Sequence, residues 1–183
     1  MRRLETRLQG PVLIEPEIHG DERGFLCETY RHSSFRELGI PDGFVQENQS
    51  RSRRGVLRGM HLQVGEGQAK LVRCAYGSIV DVLVDIRRGS PSFGHWEAYE
   101  LDDQNMRELY VPIGFAHGFC VTSELADVIY KLSGYYAPEL ERGFRYDDPE
   151  VGIDWPELEL IVSDRDASAP PLSAIADELP FEY

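Results

Sequence analysis

Short alternating runs of apolar and polar residues dominate the chain. Over residues 78–87, Val80, Val82, Val84 and Ile86 share one face of an extended segment, and Asp81 and Asp85 share the other. Phe44, Gln46, Asn48 and Ser50 form a second period-two row, and Ala126, Val128 and Tyr130 a third. Further runs rich in β-branched and aromatic residues occupy 12–17, 25–30, 56–64, 71–76, 96–101, 109–111 and 118–122. Turn-forming clusters separate them: Gly20-Asp21, Pro41-Asp42-Gly43, Gly65-Glu66-Gly67, Gly89-Ser90-Pro91 and Pro112-Ile113-Gly114. Many short strands with regular turns predict an all-β sandwich, barrel or jelly roll. Helix is confined to the margins: a short one capped by Ser33 or Ser34, running to Leu38 and ended by Gly39, and another over 172–179. No repeat or linker interrupts the pattern, so residues 1–183 read as one domain.

Composition narrows the class. Hydrophobic residues at 42% and charged ones at 28% suit a globular protein with one core. A net charge of −13 repels nucleic acid and anionic membranes, which removes both as partners. The basic N-terminal residues Arg2 and Arg3 have no apolar run behind them, so a cytoplasmic protein is expected. Cys27, Cys74 and Cys120 form no CxxC and read as reduced core thiols. Against the acidic background, Arg51, Arg53, Arg54 and Arg58 stand close together. They are equally a solvated loop or a docking point for a phosphate or diphosphate.

Chemistry concentrates around few residues. The stretch from Gly65 to Lys70 has the glycines of a phosphate loop, but the following Leu71-Val72-Arg73 is strand-like, so a hairpin turn that delivers Lys70 into a sheet is expected. His19, His32 and His95 lie among polar turns, whereas His61 and His117 sit among apolar residues beside glycines. A metal site in a jelly roll would want a His-x-His pair. Here Gln63 occupies the second position, and an amide is a poor ligand for transition metals. The preferred alternative is a metal-free acid–base site around His61. Gln46, Asn48, Lys70, His117 and Tyr130 recur at spacings that would line a cavity. Regular pleating puts Arg58 and His61 on opposite faces, unless Gly59 hosts a bulge that reunites them.

Several of these segments occur in one order in a known family: Asp21-Glu22-Arg23-Gly24-Phe25, Phe44-Val45-Gln46-Glu47-Asn48, Val56-Leu57-Arg58-Gly59-Met60-His61-Leu62-Gln63, Lys70-Leu71-Val72-Arg73, Pro112-Ile113-Gly114-Phe115-Ala116-His117-Gly118-Phe119, Tyr130-Lys131, Tyr135-Tyr136-Ala137-Pro138 and Gly152-Ile153-Asp154-Trp155-Pro156. With them the chain resembles the dTDP-4-dehydrorhamnose 3,5-epimerases, enzymes of the cupin-type jelly-roll fold. The resemblance implies inversion of C3 and C5 of a dTDP-4-keto-6-deoxy sugar without metal or cofactor. It implies His61 as base with Asp166 as its partner, Lys70 beside the enolate oxygen and Tyr130 as the acid on the opposite face. Arg58 and Arg165 would hold the diphosphate, and Gln46 and Asn48 sugar or phosphate oxygens. His117 and Glu141 match ligand-contact positions, and Tyr136 the residue that stacks on thymine. Arg23 and Glu28 match residues lent to the partner's site in a homodimer. Leu62 and Gln49 depart from the family pattern and are expected to alter the pocket.

Overall fold

The computed structural model describes residues 1–41 and 43–183. Asp42, in the predicted turn Pro41-Asp42-Gly43, lies outside them. The chain folds as a jelly roll of two antiparallel sheets. One sheet contains β1 (Arg2–Leu4), β2 (Val12–Glu15), β10 (Glu108–Val111), β7 (Lys70–Tyr76), β12 (Leu125–Leu132) and β5 (Gln46–Arg53), in that order. The other runs β13 (Glu141–Gly143), β6 (Leu57–Gln63), β11 (Phe115–Val121), β8 (Ser78–Asp85) and β9 (Trp96–Asp102). A separate hairpin pairs β3 (Ile18–Asp21) with β4 (Gly24–Cys27).

The alternation in β8 explains how the layers assemble. Ile79 and Leu83 point between the sheets, where they meet Leu13, Val72, Leu101, Leu109, Phe119 and Val128. Val82, Val84 and Ile86 point the other way and are also fully buried, because the C-terminal segment covers them with Phe144, Leu172, Leu179 and Phe181. Burying each such aliphatic side chain contributes roughly 1.5–3 kcal/mol. The outer face of the other sheet is covered by Phe35 and Ile40, which pack on Val12, Ile14, Leu71 and Tyr110. Phe35 belongs to α1 (His32–Glu37), the predicted marginal helix.

Several local expectations change. The cap of α1 is Arg31, with no side-chain hydrogen bond, and Ser33 and Ser34 lie inside the first turn. The helix expected over 172–179 is one short α-helical turn, Leu172–Ile175, followed by a 3-10 turn, Ala176–Glu178. Gly65-Glu66-Gly67 is not a hairpin turn, since β6 and β7 belong to different sheets. It is a crossover, yet Lys70 still opens β7. The strands β1, β3 and β13 have three or four residues each, too few to show periodicity. Another element without a periodic signal is the helix α2 (Asp164–Ala167), whose start is marked by Ser163: its hydroxyl accepts the Asp166 N–H.

Candidate active site

The two sheets part at one end to leave a cavity of about 220 Å³. Asn48 and Ser50 of β5, Lys70 of β7, and Tyr130 and Leu132 of β12 line one wall. Arg58 and His61 of β6 face them from the other sheet with His117 and Phe119 of β11, and Tyr136 and Glu141 add to the lining. Of the period-two rows at 44–50 and 126–130, Asn48, Ser50 and Tyr130 line the cavity, whereas Gln46 does not.

The His61 ring is held from behind. Its Nε2 lies 2.8 Å from Oδ1 of Asp166, while the other oxygen, Oδ2, accepts the Gly59 backbone N–H at 3.3 Å. The helix α2 carries Asp166 to β6 and buries it to 5% exposure. Burial alone would raise its carboxyl, but the hydrogen bond and charge of His61, the Gly59 N–H and Ser163 outweigh that and keep it below the ordinary range. A carboxylate so fixed orients the imidazole.

Lys70 contributes the second charged group. Burial pushes its ammonium down to about 8, against the pull of the carboxylates of Asp81 and Glu141. His117 is 6% exposed, and its Nε2 lies 2.9 Å from Oδ2 of the fully buried Asp81. Burial lowers its pKa despite Asp81, with Lys70 and His61 adding to the effect. A neutral ring that donates Nε2–H to Asp81 keeps an acceptor lone pair on Nδ1.

A hydrogen-bonded chain organises another part of the site. Gln46 donates to Asn48 (3.0 Å) and accepts from the Tyr136 backbone N–H (3.0 Å). The Tyr136 hydroxyl donates to Glu141 (2.6 Å), which also accepts from Arg165 (2.9 Å). Burial would raise the Glu141 carboxyl, but Arg165 and Tyr136 more than offset it and hold it low. Tyr136 itself is 50% exposed.

Not every expected residue reaches the cavity. Of the arginine cluster only Arg58 does, braced on the Ser52 hydroxyl (3.1 and 3.2 Å). Arg51 points outward in a two-pronged pair with Asp127 (both 2.6 Å), and Arg53 and Arg54 border an open hollow of about 780 Å³ at the far end of β7. Arg51 and Arg53 share the outward face of β5 while Arg58 lies on β6 in the other sheet, so the cluster is not one docking point. Arg23 and Glu28 are exposed on and beside the β3–β4 hairpin, paired with Asp21 and Arg31, and neither lines this chain's cavity.

Neither Leu62 nor Gln49 lines the cavity. Leu62 is buried under the C-terminal segment and Gln49 is exposed on the outer side of β5. Gln63 holds backbone instead of a ligand: its amide donates to the Tyr135 carbonyl (3.4 Å) and accepts from the Ala137 N–H (3.1 Å). Among the described residues, no cluster of three or more His, Cys, Asp or Glu is arranged to hold a metal ion. Sequence reasoning did not assign Ser50, Gln68, Phe119 or Leu132 to the lining, nor Asp81 to His117. Ser50 continues the polar row of β5 and Asp81 the alternation of β8, so periodicity was the available signal.

Known proteins resemble this chain in sequence and fold. A profile of the dTDP-4-dehydrorhamnose 3,5-epimerase family matches residues 5–174. The dTDP-4-dehydrorhamnose 3,5-epimerase of Pseudomonas aeruginosa is 51% identical over 154 residues, covering 82% of this chain and 85% of the relative. A dTDP-4-dehydrorhamnose 3-epimerase of Streptomyces niveus is 43% identical over 171 residues, 92% of this chain and 83% of that one. The solved structure of dTDP-6-deoxy-D-glucose-3,5-epimerase from Legionella pneumophila, in complex with dTDP-4-keto-L-rhamnose, superposes with a TM-score of 0.96. It is 46% identical, over 100% of this chain and 98% of that one. From fold, site and relatives together, the chain belongs to the dTDP-4-dehydrorhamnose 3,5-epimerase family of isomerases.

Proposed function

We propose that this enzyme inverts C3 and C5 of dTDP-4-dehydro-6-deoxy-D-glucose, giving dTDP-4-dehydro-L-rhamnose. The C4 ketone acidifies the hydrogen on each neighbouring carbon, so one carbonyl activates both centres. His61 removes a proton from one face of the sugar, and Asp166 stabilises the imidazolium that forms. Charge moves onto the C4 oxygen, where the Lys70 ammonium stabilises the enolate. Tyr130 returns a proton from the opposite face, and the ketone re-forms with inverted geometry. Each round is a proton exchange with no net redox change, so the chemistry calls for no cofactor.

The observation that carries this reading is that His61 and Tyr130 line the same cavity from different sheets, β6 and β12. Inversion needs base and acid on opposite sides of the ring, and two facing sheets supply that separation. Arg58 and Arg165 take the diphosphate, Gln46 and Asn48 sugar or phosphate oxygens, and Tyr136 stacks on the thymine. His117 and Glu141 contact the bound ligand. Arg23 and Glu28 complete the site of a second copy in a homodimer. The apolar surface on the hairpin, Phe25 at 61% and Leu26 at 73% exposure, supports this arrangement. Free thiols at Cys27, Cys74 and Cys120 agree with a reducing, cytoplasmic setting.

A second reading, inversion at a single carbon, is favoured by the Streptomyces niveus relative, named a 3-epimerase. Incubation with the 4-keto sugar nucleotide in deuterium oxide, followed by proton NMR, separates the two. Deuterium at both C3 and C5 with formation of the L-sugar supports double inversion. Label at one carbon supports the second reading, and none at either contradicts both.

A further inference from the structure

Among the described residues, buried side-chain atoms without a hydrogen-bond partner occur on Ser50, Asp81, Tyr99, Arg107 and Glu108. Of these residues only Ser50 lines the cavity. Native proteins pair nearly all buried polar groups, so an unpaired hydroxyl in the wall of a ligand cavity marks a contact that the ligand completes. A serine hydroxyl both donates and accepts, and turns about one torsion to suit its partner.

Its location says which part of the ligand that is. Ser50 stands between Asn48 and Ser52 on one face of β5, and its cross-strand partner on β12 is Val128, one pleat along from Tyr130. Ser52 is already engaged by Arg58, whose residue is exposed. The Ser50 oxygen, by contrast, is shut off from solvent, in the wall that carries Tyr130. Ser50 thus shares the wall of the proposed acid, whereas Arg58 and Arg165, proposed for the diphosphate, are exposed. We propose that Ser50 is a further substrate-binding residue, its hydroxyl bonded to a ring hydroxyl of the hexose. The inference rests on the function proposed above.

The test compares two ligands by calorimetry: dTDP, which lacks the sugar, and dTDP-glucose, which carries ring hydroxyls but no ketone to react. Ser50→Ala is expected to weaken dTDP-glucose roughly tenfold and leave dTDP unchanged. Ser50→Thr, which keeps a hydroxyl, should recover most of the loss. Equal weakening of both ligands would assign the contact to the nucleotide and overturn the proposal, as would no weakening of either. The contrast is read from binding, so it stands apart from turnover: a parent enzyme that exchanges no deuterium would defeat the proposed reaction without deciding the role of Ser50.

Discussion

Arg58 and His61 lie three residues apart on β6, yet both face the same cavity. The pairing with β11 explains it. His61 opposes His117 and Arg58 opposes Phe119, so three steps along β6 match two along β11. The extra residue is absorbed at Gly59, whose φ is +140° and whose α-carbon lies so near β11 that an added Cβ would fall 2.5 Å from the Gly118 Cα. A bulge thus sets the guanidinium and the imidazole on one wall.

Gly59→Ala should therefore damage the fold as well as the site. A destabilisation of several kcal/mol is expected, about 10 °C or more in melting temperature, whereas Gly134→Ala, with open space around it, should change little. Thermal melts of the two variants check this; equal stability would mean the bulge tolerates a side chain.

Lys70 predicts an alkaline limb. Its pKa is pushed down to about 8, so the ammonium is present below that pH and is lost as pH rises through it. If the ammonium stabilises the enolate, kcat should fall above about pH 8, approaching tenfold per pH unit. Lys70→Arg, which stays charged, should flatten that limb at a lower plateau. Lys70→Met should lose about 10²–10³-fold at neutral pH. A parent profile flat to pH 10 would remove Lys70 from this role.

Stability should carry a separate pH signature. Glu108 is 2% exposed, and burial raises its carboxyl to about 8, against the pull of Arg73 and Lys131. The folded state therefore holds a proton that the unfolded chain releases above its ordinary value of 4.5. The resulting stability is complete below about pH 4.5 and is lost as pH climbs through about 8. Glu108→Gln should reduce the fall in melting temperature between pH 6 and pH 9 by a few degrees. Melts at the two pH values decide it, and identical slopes for parent and variant would refute the titration of Glu108.

How far the sequence carried the reading depends on the length of each element. The rows at 44–50, 78–87 and 126–130 are long enough for alternation to show strands, and with them Asn48 and Tyr130, while Lys70 was placed by the strand-like run that follows it. Gly59 suggested the bulge because a strand glycine has few other uses. The helix α2 was hidden, since four residues give no period; only the family pattern pointed to Asp166 and Arg165. The arginine cluster stayed open between a solvated loop and a docking point for the opposite reason. Proximity along the chain looked like a patch, while the pleat of β5 sends Arg51 away from the cavity that Arg58 reaches from β6. Gly65–Gly67 looked like a hairpin because local turn chemistry does not reveal which sheet the next strand joins.

The central claim is that His61 removes protons and Tyr130 returns them from the facing wall. Deuterium exchange into the 4-keto sugar nucleotide, followed by NMR for His61→Ala and Tyr130→Phe beside the parent, tests it most directly. His61→Ala should lose exchange at both carbons, by about 10²–10⁴-fold, while Tyr130→Phe should still exchange hydrogen but stop inverting C3 and C5. Exchange at the parent rate without His61, or inversion at the parent rate without the Tyr130 hydroxyl, would contradict the account.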